Sequence, residues 1–168
     1  MSQVLDAYGL PLSGSRLIEA SAGTGKTWTI ASLYLRLVLG HGKAGDPGSG
    51  LQEAPMPSEI LVMTFTRAAT RELSDRIRRR LIEAEQCFRG HLIPAADDQF
   101  LQRLLAFYAD SGLRERAAWQ LARAAEAMDE CAVFTIDAWC QRMLSDHAFD
   151  TGNSLDEALV ADQRTLLR

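Results

Sequence analysis

Eight residues, Ala20-Ser21-Ala22-Gly23-Thr24-Gly25-Lys26-Thr27, constrain this chain more than any other stretch. They follow the short apolar run Leu17-Ile18 and open into a helical pattern. Strand, glycine-rich turn and helix together are the context that a phosphate-binding loop requires. Backbone N–H groups turned inward surround a phosphate, and the starting helix adds its unpaired first-turn donors and its dipole. Gly23 and Gly25 permit the unusual dihedrals and the close backbone approach. Lys26 supplies a mobile charge for the outer phosphates, and Thr27 offers a hydroxyl to Mg²⁺. The loop reads A-x-x-G-x-G-K-T, with Ala20 where the usual pattern has glycine. It names a nucleoside triphosphate as ligand and leaves the reaction open.

At 168 residues the chain is one domain, or part of a larger one. A net charge of −4 gives no global attraction to nucleic acid, so any such contact has to use a local basic face. No basic segment followed by an apolar core marks a signal peptide, and no apolar run is long enough to span a bilayer. Cys87, Cys131 and Cys140 are odd in number and lack C-x-x-C spacing, which fits free thiols in a reducing cytoplasm.

Periodicity predicts β-α-β-α-(αα)-β-α. The first strand is Leu17 to Ala20. A helix from Lys26 to about Leu39 places Ile30, Leu33, Tyr34, Leu37 and Val38 on one face. Residues 40–57 hold five of the twelve glycines and three of the five prolines, and read as a mobile surface loop. Glu59 to Phe65 is a second strand. A helix from about Ala68 to Glu85 turns Ala69, Leu73, Ile77, Leu81 and Ala84 inward, with Arg71, Arg76, Arg78, Arg79 and Arg80 outward. Two stripes, Phe100-Leu101-Leu104-Leu105-Tyr108 and Leu113-Ala117-Leu121-Ala125-Met128, predict a helical hairpin within 97–130, broken at Ser111-Gly112. Ala132 to Ile136 is a third strand, followed by a helix to about Ala148. Alternation of this kind argues for a parallel sheet flanked by helices, incomplete at three strands.

Three blocks in order, L-I-E-A-S-A-G-T-G-K-T, V-M-T-F-T-R-A-A-T-R-E-L-S-D-R-I and V-F-T-I-D-A-W-C-Q-R-M-L, resemble motifs I, Ia and Ib of superfamily 1 helicases of the UvrD type. Within these the chain is most similar to the RecB family of helicase–nuclease subunits (exodeoxyribonuclease V beta chains), over nearly its whole length. The resemblance implies a P-loop NTPase (RecA-like) fold, with residues 1–150 as the N-terminal part of an ATP-binding motor domain, a helical insertion at about 97–130, and 151–168 as the start of a truncated helical segment. It implies ATP and Mg²⁺ as cofactors, DNA as substrate (a single-stranded path and duplex ends), RecC- and RecD-like partner subunits, a bacterial cytoplasmic setting, and a role in double-strand break repair and recombination. The family's acidic pair at the end of a later strand is not found here, since Asp129-Glu130 precedes the third strand. The chain by itself is therefore expected to bind ATP–Mg²⁺ weakly and to hydrolyse it negligibly.

The nucleotide set is thus Ala20, Ser21, Ala22, Gly23, Thr24, Gly25, Lys26 and Thr27, with Lys26 and Thr27 closest to the chemistry and Thr27 on Mg²⁺ through ATP. The resemblance assigns the DNA path to Thr64, Phe65, Thr66, Arg67 and Thr135. Phe65 reads either as a stacking platform or as core, and Thr66 as a phosphate contact and helix N-cap together. Arg76 to Arg80 reads as a DNA patch or as a solvated face. Asp137, where the family commonly has histidine, reads as the N-cap of its helix, and Trp139 as packed or stacking. His41, His91 and His147 lack ligand spacing and read as surface or helix-end residues. Two other readings stay open: a stand-alone P-loop kinase or phosphotransferase, and a non-catalytic partner-binding module. The apolar positions Leu155, Leu159, Leu166 and Leu167 raise self-association as an expectation.

Overall fold

The computed structural model describes residues 5–19, 21, 23, 25–42, 54–129 and 133–147. Five helices and two strands follow in the order α1 (Lys26–Val38), β1 (Val62–Thr64), α2 (Arg67–Phe88), α3 (Gln99–Phe107), α4 (Ser111–Glu126), β2 (Val133–Thr135) and α5 (Ile136–Asp146). Short 3₁₀ turns at Pro57–Glu59 and Ala127–Asp129 lead into the strands. The strands pair in parallel, with Val62 opposite Val133, Met63 opposite Phe134 and Thr64 opposite Thr135. The architecture is α/β with an incomplete parallel sheet, as the alternation predicts.

The core is built on α2. Leu73, Ile77, Leu81, Ala84 and Phe88 recur at helical spacing and are buried. Onto this stripe pack Ala117, Ala118, Leu121 and Ala124 of α4, whose small side chains let the two helices approach closely. Tyr34, Leu35 and Val38 of α1 close another side. Helix α3 adds Phe100, Leu101 and Leu104, capped by Asp98, whose carboxylate accepts from the Leu101 N–H at 3.0 Å. The expected αα hairpin is corrected here: α4 lies chiefly along α2, and α3 is a short bridge between them. The break comes before Asp110, which caps α4 through the Gly112 and Leu113 N–H groups, so Ser111-Gly112 forms the first turn.

Other expectations are also revised. No strand forms over 17–19; Leu17 is 86% exposed, and a strand without a ladder partner or apolar cover has nothing to hold it. Ala20 lies outside the described residues, as do 43–53 of the expected loop, Cys131, Ala132 and the apolar positions of 155–167. The inward face of α1 is Ala31, Tyr34, Leu35 and Val38 rather than a stripe through Ile30, Leu33 and Leu37. On α2, Ala69 is exposed, Leu113 of α4 is half exposed, and Arg80 turns inward. Among the described residues no helix is long and apolar enough to cross a membrane.

His41 is not a surface histidine. Gly40, with φ of 59°, turns the chain back so that the His41 N–H donates to the Arg36 carbonyl at 2.9 Å, and the ring enters the core. There it meets Tyr8 and Phe107 at 4.8 and 4.7 Å between ring centres. Arg36 is 1% exposed; it donates through Nε to His41 Nδ1 at 3.0 Å and through Nη1 to the carbonyls of Ala7 and Leu10 at 2.8 and 2.7 Å. This clamp straps residues 5–10 onto α1.

Burial, then the charges of Arg36 and Arg103, hold the His41 imidazole down at about 4. The folded state therefore favours neutral His41, and the unfolded chain takes up the extra proton between about 6.5 and 4. The resulting stability is complete above 6.5 and is lost as pH falls toward 4. Asp6 and Asp98, both held below the usual carboxylate value, titrate below this window. The urea midpoint should fall between pH 7 and pH 5, and the slope should shrink in His41→Phe. Leu81→Ala, at a fully buried position on the α2 stripe, should cost about 3 kcal/mol in urea unfolding at pH 7.

Candidate nucleotide and nucleic-acid site

Helix α1 begins at Lys26, directly behind Gly25, whose φ of 83° is left-handed; Gly23 has φ of 79°. Both dihedrals favour glycine, and neither position has a neighbouring atom within 4 Å of where a Cβ would sit, so the space over the turn is open. Gly25 at the N-cap offers no side chain to cap α1, and the first-turn N–H groups lie at the positive end of the helix. The first intrahelical bond runs from the Thr29 N–H to the Gly25 carbonyl at 2.9 Å. Lys26 Nζ curls over the loop and donates to the Ser21 carbonyl at 2.5 Å. Thr27 is half-buried at the same helix end. Ala20, Ala22 and Thr24 lie outside the described residues. Exposed amide donors, one ammonium group and one hydroxyl are the donor set that a magnesium-bound triphosphate needs.

Beside Thr27 lies a cavity of about 570 Å³ that the sequence reading missed. Trp28 and Ala31 of α1 form one wall, and Arg76, Arg79, Arg80 and Glu83 of α2 another. Asp97 and Asp98 close it from the segment before α3. The signal was present: positions 76, 79, 80 and 83 follow the i, i+3, i+4, i+7 rule and share one helix face. The arginine run therefore divides, with Arg78 in a separate groove between α2 and α4. Arg80 is the buried member. Its guanidinium bridges both Asp98 oxygens at 2.5 and 3.0 Å and reaches Glu83 at 2.8 Å. Burial lowers its affinity for the proton, and these carboxylates more than restore it. Burial likewise raises the Asp98 carboxyl, and the bonds from Arg80 and the Leu101 N–H pull it below the usual range.

The residues expected along a DNA path meet at one end of the sheet. The register sets Thr64 beside Thr135, and each strand passes straight into a helix. Thr66 caps α2 by accepting from the Ala69 N–H at 3.1 Å, and Thr135 caps α5 by accepting from the Ala138 N–H at 3.2 Å. Asp137 is thus not the cap; it is an exposed acid in the first turn, because the strand-to-helix switch falls two residues earlier. Phe65 is 87% exposed, which removes the core reading, and Arg67 is exposed beside it. The Thr64 hydroxyl shares a hydrogen bond with Thr70 at 2.6 Å, so it shapes the turn from within. Trp139 packs half-buried against Phe134, with ring centres 5.9 Å apart. His91 and His147 are exposed; Cys87 is buried and Cys140 exposed, each a free thiol.

Residues 3–168 match the model of the UvrD/REP helicase N-terminal domain. The RecBCD enzyme subunit RecB of Escherichia coli (strain K12) is 46% identical over 168 residues, covering 99% of this chain and 13% of the relative. The subunit of the same name from Haemophilus influenzae is 41% identical, covering 97% and 13%. That of Mycobacterium tuberculosis is 29% identical over 151 residues, covering 89% and 12%. The chain spans about an eighth of the length of these relatives.

Proposed function

Because the chain belongs to the UvrD/REP helicase N-terminal domain family, we propose that it forms the ATP-gripping part of a DNA motor of the RecBCD type. In that setting it serves double-strand break repair, with RecC- and RecD-like subunits as partners and with ATP and Mg²⁺ as cofactors. The observation that carries this reading is the glycine-bounded turn ending in Lys26 at the uncapped start of α1. The amides of that turn hold the phosphates, Lys26 leaves the Ser21 carbonyl for the outer phosphates, and Thr27 holds Mg²⁺. The nucleoside extends into the cavity against Trp28. A kinase or a bare docking module has no use for the second feature, two threonine-capped helix starts side by side with an exposed Phe65. There the first-turn amides meet successive phosphates of a single strand, Phe65 supports a base, and Arg67 adds charge.

Gripping is separate from cleavage. Hydrolysis needs a carboxylate to position water and hold the metal. Two of the acids that line the cavity do other work: Asp98 and Glu83 neutralise Arg80. The 168-residue chain should therefore bind ATP–Mg²⁺ saturably in a calorimetric titration, lose that binding in Lys26→Ala, and release phosphate no faster than that variant. Turnover above the Lys26→Ala level would refute the separation. For DNA, Phe65→Ala should weaken binding of a fluorescent oligothymidylate about tenfold at low salt. An unchanged affinity would remove the sheet edge from the DNA path.

A further inference from the structure

We propose that Arg80 is a positioning residue that sets the orientation of Trp28, and with it the nucleoside wall of the cavity, without touching the nucleotide. The inference rests on the triphosphate reading of the loop. Trp28 directly follows Thr27 and is 43% exposed. A tryptophan so placed needs something behind it to fix its plane. Two groups stand there. The Phe100 ring meets it edge-on, centres 5.7 Å apart at 77°. The guanidinium carbon of Arg80 lies 5.6 Å from the indole centre and 5.6 Å from the centre of Phe100.

The guanidinium is itself locked. A bidentate bond to Asp98 and a further one to Glu83 fix its plane. Its Nε is sealed from solvent and has no hydrogen-bond partner among the described residues. A donor left unsatisfied in the interior is costly, and two aromatic faces beside a cation are the compensation this environment offers. Asp98 also caps α3, the helix that carries Phe100, so one carboxylate aligns both the cation and the second ring. A lysine would keep the charge and lose the planar fork that holds this geometry.

The test uses the 168-residue chain with Trp119→Phe and Trp139→Phe, so that Trp28 is the sole indole. ATP–Mg²⁺ and inorganic tripolyphosphate–Mg²⁺ are titrated separately, and Trp28 anisotropy is recorded. Arg80→Lys should raise the Kd for ATP about tenfold, leave that for tripolyphosphate within about twofold, and lower the anisotropy. Trp28→Ala should show the same ATP-selective loss, and the double variant no more than either alone. Asp98→Asn, which keeps a capping oxygen, should weaken ATP about threefold, and it decides the matter should Arg80→Lys fail to fold. Equal losses for both ligands, an unchanged ATP affinity, or additive losses in the double variant would overturn the positioning role. Failure of the unsubstituted chain to bind either ligand would instead strike the triphosphate reading, and this proposal with it.

Discussion

The apolar seam along α2 is the interaction on which everything else in the structure depends. At 22 residues this helix is about 33 Å long. Its stripe from Leu73 to Phe88 is covered by α1 and α4, which leaves the neighbouring face, with Arg76, Arg79 and Arg80, turned toward the start of α1. Its N-terminus stands at the sheet edge, where Thr66 caps it beside exposed Phe65. From Arg67 to Arg79 the rise is about 18 Å. One rod thus joins the expected nucleic-acid edge to the wall of the proposed nucleotide cavity. Loosening the seam would disturb both at once.

Among the described residues two guanidinium groups are buried, Arg36 on α1 and Arg80 on α2, and they are satisfied in different ways. Arg80 is paired with carboxylates, so its charge is neutralised where it lies. Arg36 donates to two backbone carbonyls and to a neutral imidazole, with no carboxylate in hydrogen-bond contact among the described residues. Burial accordingly pushes the Arg36 guanidinium below its usual value, with Asp6 opposing from a distance. Carbonyl dipoles solvate a cation only where the backbone is already in place. The Arg36 cluster therefore works as a lock on a formed chain turn. The Arg80 cluster is a self-contained ion network that can orient its neighbours.

How much of this the sequence disclosed follows from which interactions are local. The loop from Ser21 to Thr27, the helix starts at Thr66 and Lys26, and the stripe Leu73-Ile77-Leu81-Ala84 depend on spacing within one segment, and spacing is visible in a sequence. The inward turn of Arg80 depends on Asp98, 18 residues away, and that of His41 on Gly40 and on rings from Tyr8 and Phe107. Such partners are chosen by packing, which no periodicity records. The strand expected from Leu17 shows the converse limit: its apolar pattern is legible, but none forms over the described residues 17–19, because a strand exists only when a neighbour completes its ladder. Asp137 shows a third. Its residue type suits a cap, yet the cap went to Thr135, because the end of β2 fixed where α5 begins.

The shape of the loop is finally a matter of where α1 can lie. A helix start makes a useful anion cradle only if its axis is held while the turn in front of it stays open. Both ends of α1 are set by glycines in the left-handed region, Gly25 in front and Gly40 behind. Behind, the turn at Gly40 is fastened by His41, Arg36 and the strap of residues 5–10. In front, Gly23 and Gly25 have no atom within 4 Å of where a Cβ would sit, and Lys26 Nζ donates to the Ser21 carbonyl. The helix is therefore clamped at its far end and along its buried face, and open above the glycines at the end proposed to meet phosphate. The fastening is concentrated at the end of α1 away from the open turn, which is how a scaffold preorganises a binding loop.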